Sequence, residues 1–271
     1  MPIQRGIKVS TGAHFGPWLL RWAGDRFITP YASATLLVLE PLRAAADYVA
    51  GMAPLAVPLP RGDGHPVLVF PGLGVSGAAT SDLRNRLQQL GYEVHDWEQG
   101  VNFGPGADRD PMLERLGDHL RQIHALHRRS VSLLGWSFGG VYARQLAAKY
   151  PELVRQVITL ATPVADNSDA THAGWLLNML SSGVTPISHT STRRSETVAS
   201  VPCASVYSKT DGIVAWEGCV STDSRNHRNI EVADVSHLGM VHHPEVLRVV
   251  ADLLTQHRGR PGQAIMRAAG R

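Results

Sequence analysis

The chain has 271 residues, 44% of them apolar and 18% charged, a balance that excludes a disordered or fibrous polypeptide and is ample for one large core. Its formal charge of +3 comes with no recognisable nucleic-acid module, so the arginines read as solvated surface and nucleic acid is not an expected partner. Two cysteines, Cys203 and Cys219, exclude a disulfide-dense scaffold; one bridge between them or two reduced thiols fit the sequence, and reduced thiols are expected because no secretory signal is visible.

Residues 1–61 read as a helical leader. Met1–Gly16 lacks a basic region followed by an apolar one, and no apolar run reaches the roughly 18 residues of a membrane span, so a cytoplasmic protein is expected. Phe15, Trp18, Trp22 and Phe27 are followed by a run from Thr35 to Met52, in which Leu36, Leu39, Leu42, Ala46 and Val49 recur at helical spacing. Pro41 is expected to break that run. So much apolar surface is expected to pack on the rest of the protein; peripheral docking on lipid is the alternative. That alternative is weakened because Arg43 is opposed by Glu40 and Asp47. Prolines 54, 58 and 60, then Arg61-Gly62-Asp63-Gly64, mark a boundary.

From residue 62 to 258 strands and helices alternate. Val67–Phe70 is a continuous apolar run, as a strand buried on both faces requires. Ser81-Asp82 can cap a helix with Leu83, Leu87 and Leu90 on one face, closed by Gly91. Tyr92–His95 is a second strand, and Pro111 opens a helix carrying Leu113, Leu116, Leu120, Ile123 and Leu126. Val131–Leu134, a helix from Phe138 to Tyr150, and Val157–Leu160 follow. Residues 163–201 break the rhythm and read as a small cap insertion, with an apolar helix around Trp175, Leu176 and Met179. Ala204–Tyr207, Asn229–Val232 and a helix from Pro244 to Gln256 complete the pattern, and 259–271 read as a flexible basic tail. The fold class is α/β, a mostly parallel sheet flanked by helices.

The chemistry concentrates in Gly135-Trp136-Ser137-Phe138-Gly139. This is G-x-S-x-G between a strand and a helix, the setting of a nucleophile elbow. Serine needs a base to take its proton, and that base needs a carboxylate to orient it. Asp211 follows the strand ASVY and is the preferred acid, with Asp166 its rival. His237 follows the strand NIEV and is the preferred base. His242 and His243 adjoin Pro244, and His227 stands at the wrong end of its strand. Histidines 119, 124 and 127 read as the solvated side of a surface helix. The backbone N–H groups of Phe138 and Leu73 are the candidate oxyanion donors. Trp136, Trp175, Leu176 and Met179 are candidates for lining an acyl pocket. No His, Cys or Asp set has metal spacing, so no metal is expected.

Two rival functions share these residues. Gly72-Leu73-Gly74-Val75-Ser76-Gly77 matches G-x-G-x-x-G, with Glu93 and Asp96 about 20 residues on, as an NAD(P)-dependent oxidoreductase has them. That reading leaves the serine elbow without a purpose. A non-catalytic binding protein on the same fold is the other alternative.

Taken together, FPGLG, GWSFGGVYARQLAAKYPELVRQVITLATP, YSKTDGIVAWEGC and VSHLGMVHHPEVL resemble bacterial α/β-hydrolases of the lipase and esterase type. The resemblance spans roughly residues 62–256 and implies that fold, serine-dependent hydrolysis without a cofactor, and an acyl-ester or lipid substrate. Ser137, Asp211 and His237 carry over by motif position. One departure is Pro71-Gly72, where lipases often have His-Gly. Neither the natural substrate nor the oligomeric state follows from the sequence.

Overall fold

The computed structural model describes residues 33–53, 58–104, 109–163, 201–222 and 225–256. The first helix among the described residues, α1, is Ala34–Met52. Then come β1 (Pro66–Phe70), a 3-10 turn (Gly77–Thr80), α2 (Ser81–Gln89), β2 (Glu93–Asp96) and α3 (Arg109–His127). Next are β3 (Val131–Trp136), α4 (Phe138–Lys149), β4 (Val154–Leu160), β5 (Cys203–Tyr207) and the short α5 (Trp216–Cys219). β6 (His227–Glu231), a 3-10 turn (Leu238–Val241) and α6 (Pro244–Gln256) end the described chain.

Among the described residues the strands form one sheet in the order β2-β1-β3-β4-β5-β6, and each neighbouring pair is parallel. Parallel strands need crossovers, and the crossover helices cover both faces. Alternation along β1 sorts the core into two layers. Val67 and Val69 join Leu83 and Leu87 of α2 and Val246, Val250 and Leu254 of α6 on one face. Leu68 and Phe70 join Leu116, Leu120 and Ile123 of α3 and Tyr142, Ala143 and Leu146 of α4 on the other. Each is a continuous apolar layer, in which truncating one buried leucine to alanine costs about 2–5 kcal/mol. Leu126, expected on the apolar face of α3, is instead 72% exposed, because at about 100° per residue it lies well round the helix from the buried Leu116, Leu120 and Ile123.

Two sequence expectations need correction in α1. The helix runs unbroken through Pro41, held on both sides of the proline by tertiary contacts from Glu40, Arg43 and Asp47. Its apolar side does not face the core: Val38, Leu42, Val49 and Met52 are exposed, while Glu40 and Asp47 are buried. Histidines 119, 124 and 127 are also not simply solvated. Each is half-buried, and they bond respectively to Asp96 O, Arg129 O and the His95 ring. Cys203 and Cys219 are buried and no disulfide links them. No described helix is long and apolar enough to cross a membrane.

Candidate active site

Parallel strands deliver their C-terminal ends to one edge of the sheet, and loops leaving those ends can converge. Ser137 stands between β3 and α4 with φ 53° and ψ −128°. A non-glycine residue there is strained, and the strain persists only where its surroundings fix it. Ser137 N donates to Leu160 O at 2.8 Å and Ser137 O accepts from Gly140 N at 3.0 Å. The turn is also too tight for side chains beside it. A Cβ on Gly135 would lie 2.3 Å from Gly140 Cα, and one on Gly139 2.5 Å from Phe70 O.

His237 and Asp211 arrive from the loops after β6 and β5. The His237 Nε2 atom is 3.0 Å from Ser137 Oγ, and its Nδ1 is 2.7 Å from Asp211 Oδ2. The other carboxylate oxygen of Asp211 accepts from Ile213 N at 2.8 Å and Val214 N at 2.7 Å, so the acid is held from both sides. All three residues are buried. Burial by itself pushes the His237 pKa down, but the carboxylate of Asp211 and, further off, that of Glu40 outweigh it, and the imidazole lies above its ordinary value. The indole N–H of Trp136 donates to His237 O at 3.0 Å, so this ring stands behind the histidine loop.

The loop after β1 completes the edge. A Cβ on Gly72 would come within 3.3 Å of Ser137 Cβ, which sets Leu73 beside the elbow. Asn102, fully buried, pins this loop. Its Nδ2 donates to Pro71 O at 2.9 Å, its carbonyl accepts from Gly74 N at 2.7 Å, and its N–H donates to Val75 O at 2.9 Å. Sequence reasoning missed Asn102, which carries no motif and lies about 30 residues from the loop it holds. It also missed Glu40, Arg43, Asp47 and Ser236, which brace the acid and histidine loops.

The rival residues are elsewhere. His242 approaches Asp82 at 3.4 Å, the His243 ring accepts from Glu245 N, and His227 bonds Ser205 Oγ at 2.8 Å. Asp166, Trp175, Leu176 and Met179, and with them the cap insertion, lie outside the described residues. The dinucleotide reading is not favoured: β1 lies between β2 and β3, unlike the 3-2-1-4 order of a Rossmann sheet. The Asp96 carboxylate is turned into the glycine loop itself, against Gly77 and 3.6 Å from Arg84. Among the described residues no group of three or more His, Cys, Asp or Glu is placed to hold a metal ion.

A second serine–histidine–aspartate set lies at the opposite end of β3. His65 Nε2 is 2.8 Å from Ser132 Oγ, and His65 Nδ1 bonds Asp63 Oδ1. Arg129 donates to Asp63 Oδ2 at 2.8 Å and Arg155 at 3.4 Å. His65 and Ser132 are fully buried. Burial, with help from the charge of Arg155, overrides the pull of Asp63 and lowers the His65 pKa to about 4.

Residues 66–186 match the family model described as alpha/beta hydrolase fold. The mature lipase BlEst2 of Bacillus licheniformis superposes with a TM-score of 0.52 at 19% identity, over 74% of this chain and 96% of that one. The chain has the α/β-hydrolase fold. Within this fold its sequence relatives include the serine hydrolase BPHL of Mus musculus, 35% identical over 102 residues, 35% of this chain and 34% of the relative. Another is pimeloyl-(acyl-carrier protein) methyl ester esterase of Aliivibrio fischeri, 30% identical over 102 residues, 38% of each chain. The chain thus spans little more than a third of the length of the curated relatives it matches.

Proposed function

We propose that this hydrolase-fold chain cleaves carboxylic esters through a serine-linked acyl-enzyme. The observation that carries the reading is the continuous contact Ser137 Oγ–His237 Nε2–His237 Nδ1–Asp211 Oδ2 on a strained elbow. The names of its sequence relatives, a serine hydrolase and a methyl ester esterase, lend support.

In the proposed cycle His237 Nε2 takes the Ser137 proton as Oγ attacks the acyl carbon. The Phe138 and Leu73 amides are the candidate donors to the oxyanion that forms. His237 returns the proton to the departing alcohol. Water, deprotonated by the same nitrogen, then attacks the acyl-enzyme, and Ser137 is reprotonated as the acid leaves. Asp211, accepting from Nδ1–H, keeps Nε2 free to act as the base and stabilises the imidazolium.

A panel of p-nitrophenyl esters from acetate to palmitate, run on wild type and Ser137→Ala, tests this. Cofactor-free hydrolysis by wild type that disappears in a folded Ser137→Ala variant supports the reading. Equal rates in both would assign the activity elsewhere, and no hydrolysis of any ester by wild type would favour the binding-protein alternative.

A further inference from the structure

Helix α1 meets the protein with its polar side. Glu40 Oε2 accepts from Gly212 N at 3.1 Å, and Oε1 accepts from Leu238 N at 3.0 Å. These are the residues immediately after Asp211 and His237. Asp47 Oδ2 accepts from both Ser236 N at 2.9 Å and Ser236 Oγ at 2.5 Å, immediately before His237. The Ser236 hydroxyl in turn accepts from Gly239 N at 3.0 Å. Arg43 donates to Thr210 O, and to Thr210 Oγ1 at 2.7 Å, immediately before Asp211. Positions 40, 43 and 47 share one face of a helix, so a single element grips both flanks of the acid and both flanks of the base.

The approach is closer than any side chain on the loops would permit. A Cβ on Gly212 would lie 2.6 Å from Glu40 Oε2, and one on Gly239 2.0 Å from Asp47 Oδ2. Burying two carboxylates costs free energy even when they are hydrogen-bonded. Docking the apolar side of α1 would have avoided that cost. The helix is turned the other way, which argues for a role in geometry rather than in bulk stability.

We propose that Glu40, assisted by Asp47 and Arg43, is a positioning residue that sets the distance between the loops of Asp211 and His237, and so the alignment of His237 on Ser137. The proposal rests on the reading of Ser137 as nucleophile. A carboxylate is the right group because it has an acceptor for each of two amides. Glutamine at the same place offers one acceptor and one misplaced donor. Charge adds to the effect. Glu40 faces Arg43 at 3.6 Å, and it acts on both Asp211 and His237. Burial first, and the charge of Asp211 as well, hold the Glu40 pKa above the ordinary value, against the two amides that lower it. The charges of Asp211 and Glu217 also act on the buried Cys219 thiol.

The test uses the full chain in four forms: wild type, Glu40→Gln, Asp47→Asn, and Leu42→Gln on the outward side of the same helix. Three quantities are read: kcat and KM for a short p-nitrophenyl ester, the second-order rate of labelling by a fluorophosphonate, and the titration of His237 by NMR. Glu40→Gln is expected to lower kcat and the labelling rate together by about ten- to a hundredfold, since misplacement of about 1 Å can cost that much. KM should hold, and the His237 pKa should fall. Asp47→Asn should act in the same sense but less, and it carries the test if Glu40→Gln does not fold. Leu42→Gln should leave all three quantities at wild-type values. A folded Glu40→Gln enzyme that melts earlier but keeps wild-type kcat, labelling rate and His237 titration would overturn the proposal and leave α1 a structural brace. Absence of labelling and hydrolysis in wild type would instead strike the nucleophile reading; the His237 titration would then decide the clasp, and an unmoved pKa in Glu40→Gln would overturn it.

Discussion

Strand β3 carries a serine–histidine–aspartate set near each of its ends. Ser137, His237 and Asp211 meet just beyond its C-terminal end, and Ser132, His65 and Asp63 meet near its start, with nearly the same contact distances between serine and histidine. The surroundings differ in three ways. Ser137 stands on a strained turn beside a pinned glycine loop, whereas Ser132 lies within the strand, paired to both neighbours. His237 is pulled upward in proton affinity by two carboxylates, whereas His65 is pushed far down by burial. Asp211 is held by two backbone amides, whereas Asp63, with one amide, is shared between a histidine and two arginines. The proposed assignment of Ser137 as nucleophile therefore rests on more than the connection of three side chains: the backbone and the electrostatics around them set the two serines apart.

Serine substitutions give the largest expected contrast. Ser137→Ala should lose about three or more orders of magnitude in kcat while keeping its fold, as removal of a triad member does elsewhere. Ser132→Ala should keep kcat and melt at lower temperature. Parallel kinetics and thermal melts would show the reverse if the assignments were exchanged. Within the first set, His237→Ala should be about as damaging as Ser137→Ala, and Asp211→Asn severe but milder. An intact kcat in Asp211→Asn would return the role of acid to another residue.

At the other end of β3, His65→Gln and Asp63→Asn should each destabilise by about 1–3 kcal/mol, the usual cost of orphaning buried polar partners. Activity per folded molecule should stay the same in urea-titrated samples. The smallest effect is the separation of two pH dependences. His237 must be neutral to act as base, so the acidic limb of kcat/KM should lie above the ordinary histidine value of about 6.5. His65 stays neutral when folded and takes a proton when unfolded. Its contribution to stability is therefore complete above pH 6.5 and is lost as pH falls toward about 4. Activity should thus fade on acidification before stability does. Superimposed activity and melting curves would contradict this.

The residues of the first set were legible because each is written locally. The elbow has its own spacing, and Asp211 and His237 each follow a short apolar strand in the order this chemistry uses. The strand–helix rhythm was legible for the same reason, with ends displaced, as at the start of β5 at Cys203, and with the short α5 missed. The clasp was not legible. Glu40, Arg43 and Asp47 look like the wet side of an amphipathic helix, and the partners that bury them lie 167 to 198 residues away. The second serine set was equally hidden, since a serine within a strand and a histidine just before another strand carry no spacing signal. Asn102 reads as an ordinary loop residue until its four bonds are seen.

The reach of Glu40 also bears on when the molecule becomes competent during its synthesis. Glu40 leaves the ribosome before its partner Leu238, which follows 198 residues later. Sheet pairing from β1 to β4, with Ser137 at its edge, involves much shorter separations. Closing a longer loop costs only about 0.6 kcal/mol for each doubling of length, but contacts of large sequence separation form slowly. The contacts of Glu40 and Asp47 tie the two ends of the described chain together, and their large sequence separation predicts late formation, which pulse-labelled hydrogen exchange would check. On the proposed mechanism, a polypeptide stopped short of residue 238 would lack the Leu238 amide that Glu40 holds, and should be inactive even where most of the sheet had formed.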